Sequence, residues 1–234
     1  MRYRRASLGL LWAIGLPLVQ AVVLGVIFTH IIRFKTATPY PVYVFSGILP
    51  WTFFSGGVML GVTSIVDGST VASKIYFPRA VLPIETVLAG FYGFVPGVAV
   101  LTIFALVMGV HLGPAMLLLV PATLTVTMLS CAFALLLAGL QVYFRDVKHI
   151  VAAINLPWFW GSGIIYPLAA LGRIRHIVEA NPVVGAIQLF RASFGASADH
   201  WQRTLWYTYG WMVALIVAAA FVYRRYDRVF TDLL

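Results

Sequence analysis

Few side chains in this 234-residue chain could do chemistry, and their spacing gives no catalytic constellation. Of the three lysines, Lys35, Lys74 and Lys148, none follows a glycine, so no P-loop exists to cradle the phosphates of ATP. No serine occupies a G-x-S-x-G elbow. The five histidines, His30, His111, His149, His176 and His200, are scattered singly rather than at metal-ligand spacing. The seven acids do not pair inside the apolar stretches: Asp67 and Glu85 flank one polar boundary, Asp146 lies in a short loop, Glu179 and Asp199 fall in another polar region, and Asp227 and Asp232 lie in the tail. Cys131 is single, which excludes an intrachain disulfide. The remaining chemistry is recognition. Between Asp67 and Pro83, Tyr76 and Phe77 stand between Lys74 and Arg79, an apolar anchor with a charged rim that would suit a protein partner. Composition alone favours the plainer alternative, an interfacial loop whose rings sit at headgroup level.

The elements that must position these residues are set by charge-free runs. Residues 6–32, 36–66, 86–144, 149–172 and 204–223 contain no Asp, Glu, Lys or Arg. A helix needs about 20 apolar residues to cross a hydrocarbon core of about 30 Å, so each run is long enough, and the third suffices for two crossings. That run breaks naturally at residues 109–114, where two glycines and a proline interrupt it. The expected fold is therefore an all-α integral membrane protein with six transmembrane helices in a single domain, 1–234. Hydrophobic residues at 62%, charged residues at 10% and a mean hydropathy of +0.95 exclude an ordinary soluble domain. The first run follows Arg2, Arg4 and Arg5 as a signal peptide would, but it is too long and lacks a clear cleavage site.

Six crossings place both ends on one side. That side carries ten basic residues and the other carries six, Arg33, Lys35, Arg173, Arg175, Arg191 and Arg203, so the positive-inside rule makes both termini cytoplasmic. The net charge of +9 sits mainly at membrane boundaries, with no long cationic run to suggest a nucleic-acid partner. A proton-driven carrier would keep an ionisable relay at mid-membrane, and only His30, near the end of a run, comes close. The driving force is then expected to come from elsewhere.

The fifth run is irregular, because Pro157, Gly161, Gly163 and Pro167 interrupt it, and the uncharged stretch 180–190 is too short to cross. Two re-entrant half-helices on the outer side, joined near residues 171–175, are expected before the last span. An amphipathic helix on the outer surface is the alternative for residues 176–194. The pairs Gly57 with Gly61 and Gly93 with Gly97 would let helices approach closely within the chain.

The opening residues 2–12, the run Lys74, Ile75, Tyr76, Phe77, Pro78, Arg79 with Leu82 and Pro83, the junction at residues 143–147, and Asn181 and Pro182 through Arg191 resemble the permease subunit of type-2 ATP-binding-cassette exporters. The polysaccharide branch, which exports lipid-linked O-antigen, teichoic acid or capsular chains, is the most similar. The resemblance covers nearly the whole chain in order. It implies a homodimer of this chain in the bacterial inner membrane, working with two copies of a separate ATPase subunit that binds the ATP and magnesium, so that this chain itself needs no cofactor and is not an enzyme. It implies that residues 67–83 form a cytoplasmic coupling helix, with Lys74, Ile75, Tyr76, Phe77, Pro78 and Arg79 on the ATPase. Arg145 and Asp146 would form a second contact. A conduit for a lipid-linked glycan would run between the two copies, lined by Tyr43, Trp51, Phe53, Phe54, Trp158, Trp160 and Tyr166, whose ring faces could stack on sugars.

One departure stands out. Family members begin with a longer cytoplasmic segment that includes an amphipathic helix, whereas here the chain starts almost at the end of that region. Either Met1 is an internal start, or the helix is shortened to about residues 1–12. Other functions stay open: a permease for a drug or small lipid, a membrane-embedded transferase, which would need intramembrane His or paired carboxylates, and a non-transporting scaffold, which would not need an ATPase-capturing loop.

Overall fold

The computed structural model describes residues 36–68, 78–196 and 201–226, together with Phe34 and isolated positions between 15 and 27. Apart from those isolated positions, the first expected span, 6–32, lies outside the described residues, as does most of the expected coupling helix, 69–77. Among the described residues the structure is helical, with no strand.

Four helical segments are long and apolar enough to cross a membrane: 40–67, 81–107, 114–143 and 201–224. The first is helix α1 (Tyr40–Asp67), which has a proline in its opening turn, where no N–H partner is needed, and stops at Gly68. The second is built from α2 (Val81–Ala89) and α3 (Phe91–Val107), joined at Gly90. Gly109, with φ of 80°, ends this pass in a left-handed conformation that favours glycine, as the break at residues 109–114 predicts. A 3₁₀ turn (Pro114–Leu118) then leads into α4 (Leu119–Tyr143). The last crossing is α8 (Trp201–Tyr226).

Close approaches fix the register. A Cβ on Gly57 would meet Val87 at 3.3 Å and one on Gly97 would meet Leu49 at 2.6 Å, so α1 runs antiparallel to the α2–α3 pass. Gly61 faces Ala134 of α4, where a Cβ would come within 2.6 Å. The Gly57 and Gly61 pair therefore packs helices within the chain, as its spacing suggests. In hydrocarbon, where no water is displaced, such small-residue contacts and polar satisfaction hold helices together. Thr125 Oγ1 lies 3.2 Å from the Tyr209 hydroxyl, and a Cβ on Gly139 would meet Val222, so α4 and α8 are parallel.

Two parallel helices in succession require the chain between them to return across the bundle. The return is made by α5 (Val147–Trp160), an irregular connector at residues 161–167, and a 3₁₀ segment (Leu168–Ile174). At 14 residues, α5 is about 21 Å long, short of the ~30 Å core, so the fifth charge-free run is not a continuous spanning helix. Pro157 and the glycines at 161 and 163 stop it where the sequence places them. A short α6 (Arg175–Glu179) and then α7 (Pro182–Ser193) follow.

Every residue from Val183 to Ser193 is buried. That overturns the alternative of a surface amphipathic helix for this part of residues 176–194, since α7 has no solvent face. It also corrects the charge count: Arg191, assigned to the outer surface, is completely buried.

Candidate functional site

Three regions bear on the expected chemistry. At the end of the bundle where α1 finishes and α5 begins, Pro78 is exposed and Arg79 half-buried just before α2, while Lys74, Ile75, Tyr76 and Phe77 lie outside the described residues. Arg145 and Asp146 are exposed in the tight turn between α4 and α5. Gln141, buried in α4, fixes this turn from beneath. Its Nε2 donates to the Arg145 carbonyl at 2.9 Å, and its Oε1 accepts from the Lys148 N–H at 2.8 Å. One amide thus closes the C-terminal end of α4 and takes up an otherwise unpaired N–H in the first turn of α5. Sequence reasoning passed over Gln141; a lone polar residue in an otherwise apolar helix end is the signal that could have found it.

The second region is the connector. Irregular backbone within an apolar bundle must have its carbonyls satisfied by protein, because no solvent is available. Side chains from three elements do this here. The Tyr166 hydroxyl donates to the Trp160 carbonyl. Asn181 Nδ2 donates to the Gly161 carbonyl at 3.0 Å. Arg191 Nη1 donates to the Gly163 carbonyl at 2.9 Å, and its Nη2 to the Ile164 carbonyl at 2.5 Å. Tyr40 and Tyr43, one turn apart at the start of α1, donate to the carbonyls of Ile165 and Tyr166. Gly163 itself has φ of 62°, and a Cβ there would also press on Leu168 at 2.9 Å. The connector is therefore a clamped strap rather than a loose loop.

Asn181 has a second role. Its Oδ1 accepts from the Val183 N–H at 3.2 Å, capping α7 ahead of Pro182, and from Trp158 Nε1 at 2.9 Å, tying the last turn of α5 to the cap. Thr208 Oγ1 of α8 donates to the Pro182 carbonyl at 2.7 Å.

The third region is an aromatic group. Trp158 packs edge-on against Phe133 at 5.2 Å, Phe54 at 5.3 Å and Trp51 at 6.1 Å between centroids, and Phe53 lies 4.7 Å from Phe94. These geometries suit aromatic quadrupoles, which prefer edge-to-face or offset contacts.

A model of the ABC-2 type transporter family matches residues 1–194. The chain belongs to that family. The matched span contains all three regions just described, and of the named helices only α8 lies beyond it. A relative in Myxococcus xanthus named O-antigen export system permease protein RfbA is 31% identical over 202 residues, covering 82% of this chain and 75% of that protein. Two Klebsiella pneumoniae proteins of the same name are 24% identical over 83% of this chain and 75% of the relative, and 22% identical over 97% and 88%. This ABC-2 type chain is thus a multi-pass membrane protein of a transport family, and its relatives align along most of its length.

Within the family frame, the expected conduit rings divide in two. Tyr43, Trp51, Phe53 and Phe54 are buried in the chain's own interior, and Trp158 is half-buried at the centre of the aromatic group. Trp160 is 48% exposed, and Tyr166 is half-buried beside it on the connector. Among the described residues no cluster of His, Cys, Asp and Glu could hold a metal ion.

Proposed function

We propose that this chain is the membrane-spanning subunit of an ATP-driven exporter that moves a lipid-linked, O-antigen-like polysaccharide across a bacterial inner membrane. The observation that carries this reading is the similarity, along most of the chain, to permeases named for O-antigen export, reaching 31% identity over 82% of the chain. The chain acts as one permease domain over residues 1–234, with six crossings and both termini in the cytoplasm. Two copies pair with two ATPase subunits, which bind the ATP and magnesium and perform the hydrolysis.

Residues 74–79 seat on the ATPase, and Arg145 and Asp146 make a second contact held in shape by Gln141. Closure of the ATPase pair pushes on both contacts, and α5 carries the push from the 143–147 turn to the clamped strap at the other end. Two re-entrant half-helices, joined near residues 171–175, close the outer mouth. Trp160 and Tyr166 face the polymer first; the buried rings of α1 meet it only when the helices part. Flat, uncharged aromatic walls let a polymer slide, because no single charged group holds it in one place.

Affinity purification of the chain from its native membrane in mild detergent tests the reading. Recovery of a stoichiometric P-loop ATPase, encoded beside glycosyltransferases, is the expected result; a chain that never brings down an ATPase at any detergent strength would overturn it.

A further inference from the structure

One carboxylate, Glu179, has Arg175 bonded to it and Arg203 of α8 nearby, with Arg173 two residues from Arg175 in the chain. Residues 173–179 and 201–209 together contain Arg173, Arg175 and Arg203, with Glu179 as the single acid. Glu179 is 1% exposed and turned inward. Its Oε1 accepts from Arg175 Nε at 2.5 Å, while Arg203 of α8 lies within its electrostatic reach. Arg173, His176 and Arg203 are exposed. The carboxylate is buried while Arg173 and Arg203 are exposed, and these two segments carry two arginines in excess of acid.

Exposed apolar groups flank the cations. Ile174, Ile177 and Trp206 are 55%, 76% and 77% exposed. A small soluble anion would use the arginines but not these side chains, whereas an amphiphile with an anionic head and a hydrocarbon tail uses both. Depth in the membrane agrees. The first eleven residues of α8 include Trp201, Trp206, Tyr207, Tyr209 and Trp211, and residues 212–222 are wholly apolar, so the aromatic part lies at headgroup level. Trp211 Nε1 donates to the Ala180 carbonyl at 2.9 Å, which holds the end of α6 at that same level.

We propose that Arg173, Arg175 and Arg203, with His176, bind the phosphodiester headgroup of an anionic phospholipid, whose tail lies beside Trp206 along α8. This site is independent of the exported polymer and requires only that α8 crosses a bilayer.

The test uses the full chain in nanodiscs with photoreactive phosphatidylglycerol, phosphatidylcholine or a polyprenyl diphosphate, and maps the labelled peptides. Labelling of residues 173–179 and 201–213 by phosphatidylglycerol is expected to exceed that by phosphatidylcholine about thirtyfold or more, given two or three cations at the surface. The Arg173→Gln, Arg203→Gln double variant should lose that preference with an unchanged melting temperature, since both side chains are exposed, while Arg145→Gln with Lys148→Gln should keep it. Equal labelling by the two phospholipids, or a preference that survives the first double variant or falls equally in the second, overturns the site. Displacement of phosphatidylglycerol by equimolar polyprenyl diphosphate also overturns it, by assigning the arginines to the exported lipid instead.

Discussion

The Arg191 guanidinium lies over the ring of Tyr43, with Cζ 3.7 Å from the centroid, and donates to the hydroxyl of the same tyrosine at 2.8 Å. The first expected conduit residue of α1 is thereby engaged by a buried cation that bonds a ring, a hydroxyl and backbone carbonyls. A planar fork of five N–H groups matches such diverging acceptors; an ammonium does not. Arg191→Lys should therefore destabilise the chain by about 1–3 kcal/mol even though it keeps the charge. Arg191→Met should cost more, because two connector carbonyls lose their donor. Thermal melting of the purified protein in detergent checks both, and a Lys variant that melts like the parent would refute the fork argument.

Trp158 and Asn181 should show energetic coupling. Their Nε1 to Oδ1 bond of 2.9 Å joins α5 to the cap of α7. In a double-mutant cycle with Trp158→Phe and Asn181→Ala, an interaction of about 1 kcal/mol is expected. Additive effects would mean that the bond contributes nothing beyond the separate losses.

Trp158→Ala and Trp160→Ala should behave differently. Truncating Trp158 opens a hole among Phe54, Phe133 and Trp51 and should cost about 3–5 kcal/mol, so any export defect would follow instability. Trp160, 48% exposed, should tolerate Ala with little change in melting, so altered polymer export by that variant would report on the conduit itself. An export rate equal to the parent's would remove Trp160 from the conduit.

Gln141→Ala should loosen the 143–147 turn by about 1–2 kcal/mol through loss of two bonds to backbone groups. In the reconstituted transporter this should lower export per ATP hydrolysed while leaving insertion unchanged. Replacing Tyr76 and Phe77 together with Ala should have the larger effect, hydrolysis without export, and normal export by that variant would sink the coupling assignment.

Gly185→Ala should destabilise the contact between α7 and α8, since a Cβ there would overlap the Thr204 carbonyl and Thr208 Oγ1. Reduced thermal stability with no change in headgroup labelling is the expected pattern.

Charge-free runs and their lengths were enough to read an all-helical membrane protein, because a span's requirement for apolar length is a one-dimensional property. They also located the break at Gly109, where the turn needs a positive φ, and the close packing at Gly57 and Gly61, where only a small residue fits. The motifs around Lys74–Arg79 and Asn181–Arg191 carried the family. What linear sequence left hidden is how residues more than a hundred positions apart converge. Arg191 read as an outer basic residue because nothing local reveals that Tyr43, 148 positions earlier, supplies a ring and a hydroxyl, or that the carbonyls of Gly163 and Ile164 need donors. Tyr43, Trp51, Phe53 and Phe54 read as wall residues because a ring's type does not say which way it faces. The fifth run, long enough to span by composition, became a short helix and a strap because prolines and glycines stop the helix. Only three-dimensional packing decides whether side chains from α1 and α7 are present to satisfy the backbone that is left.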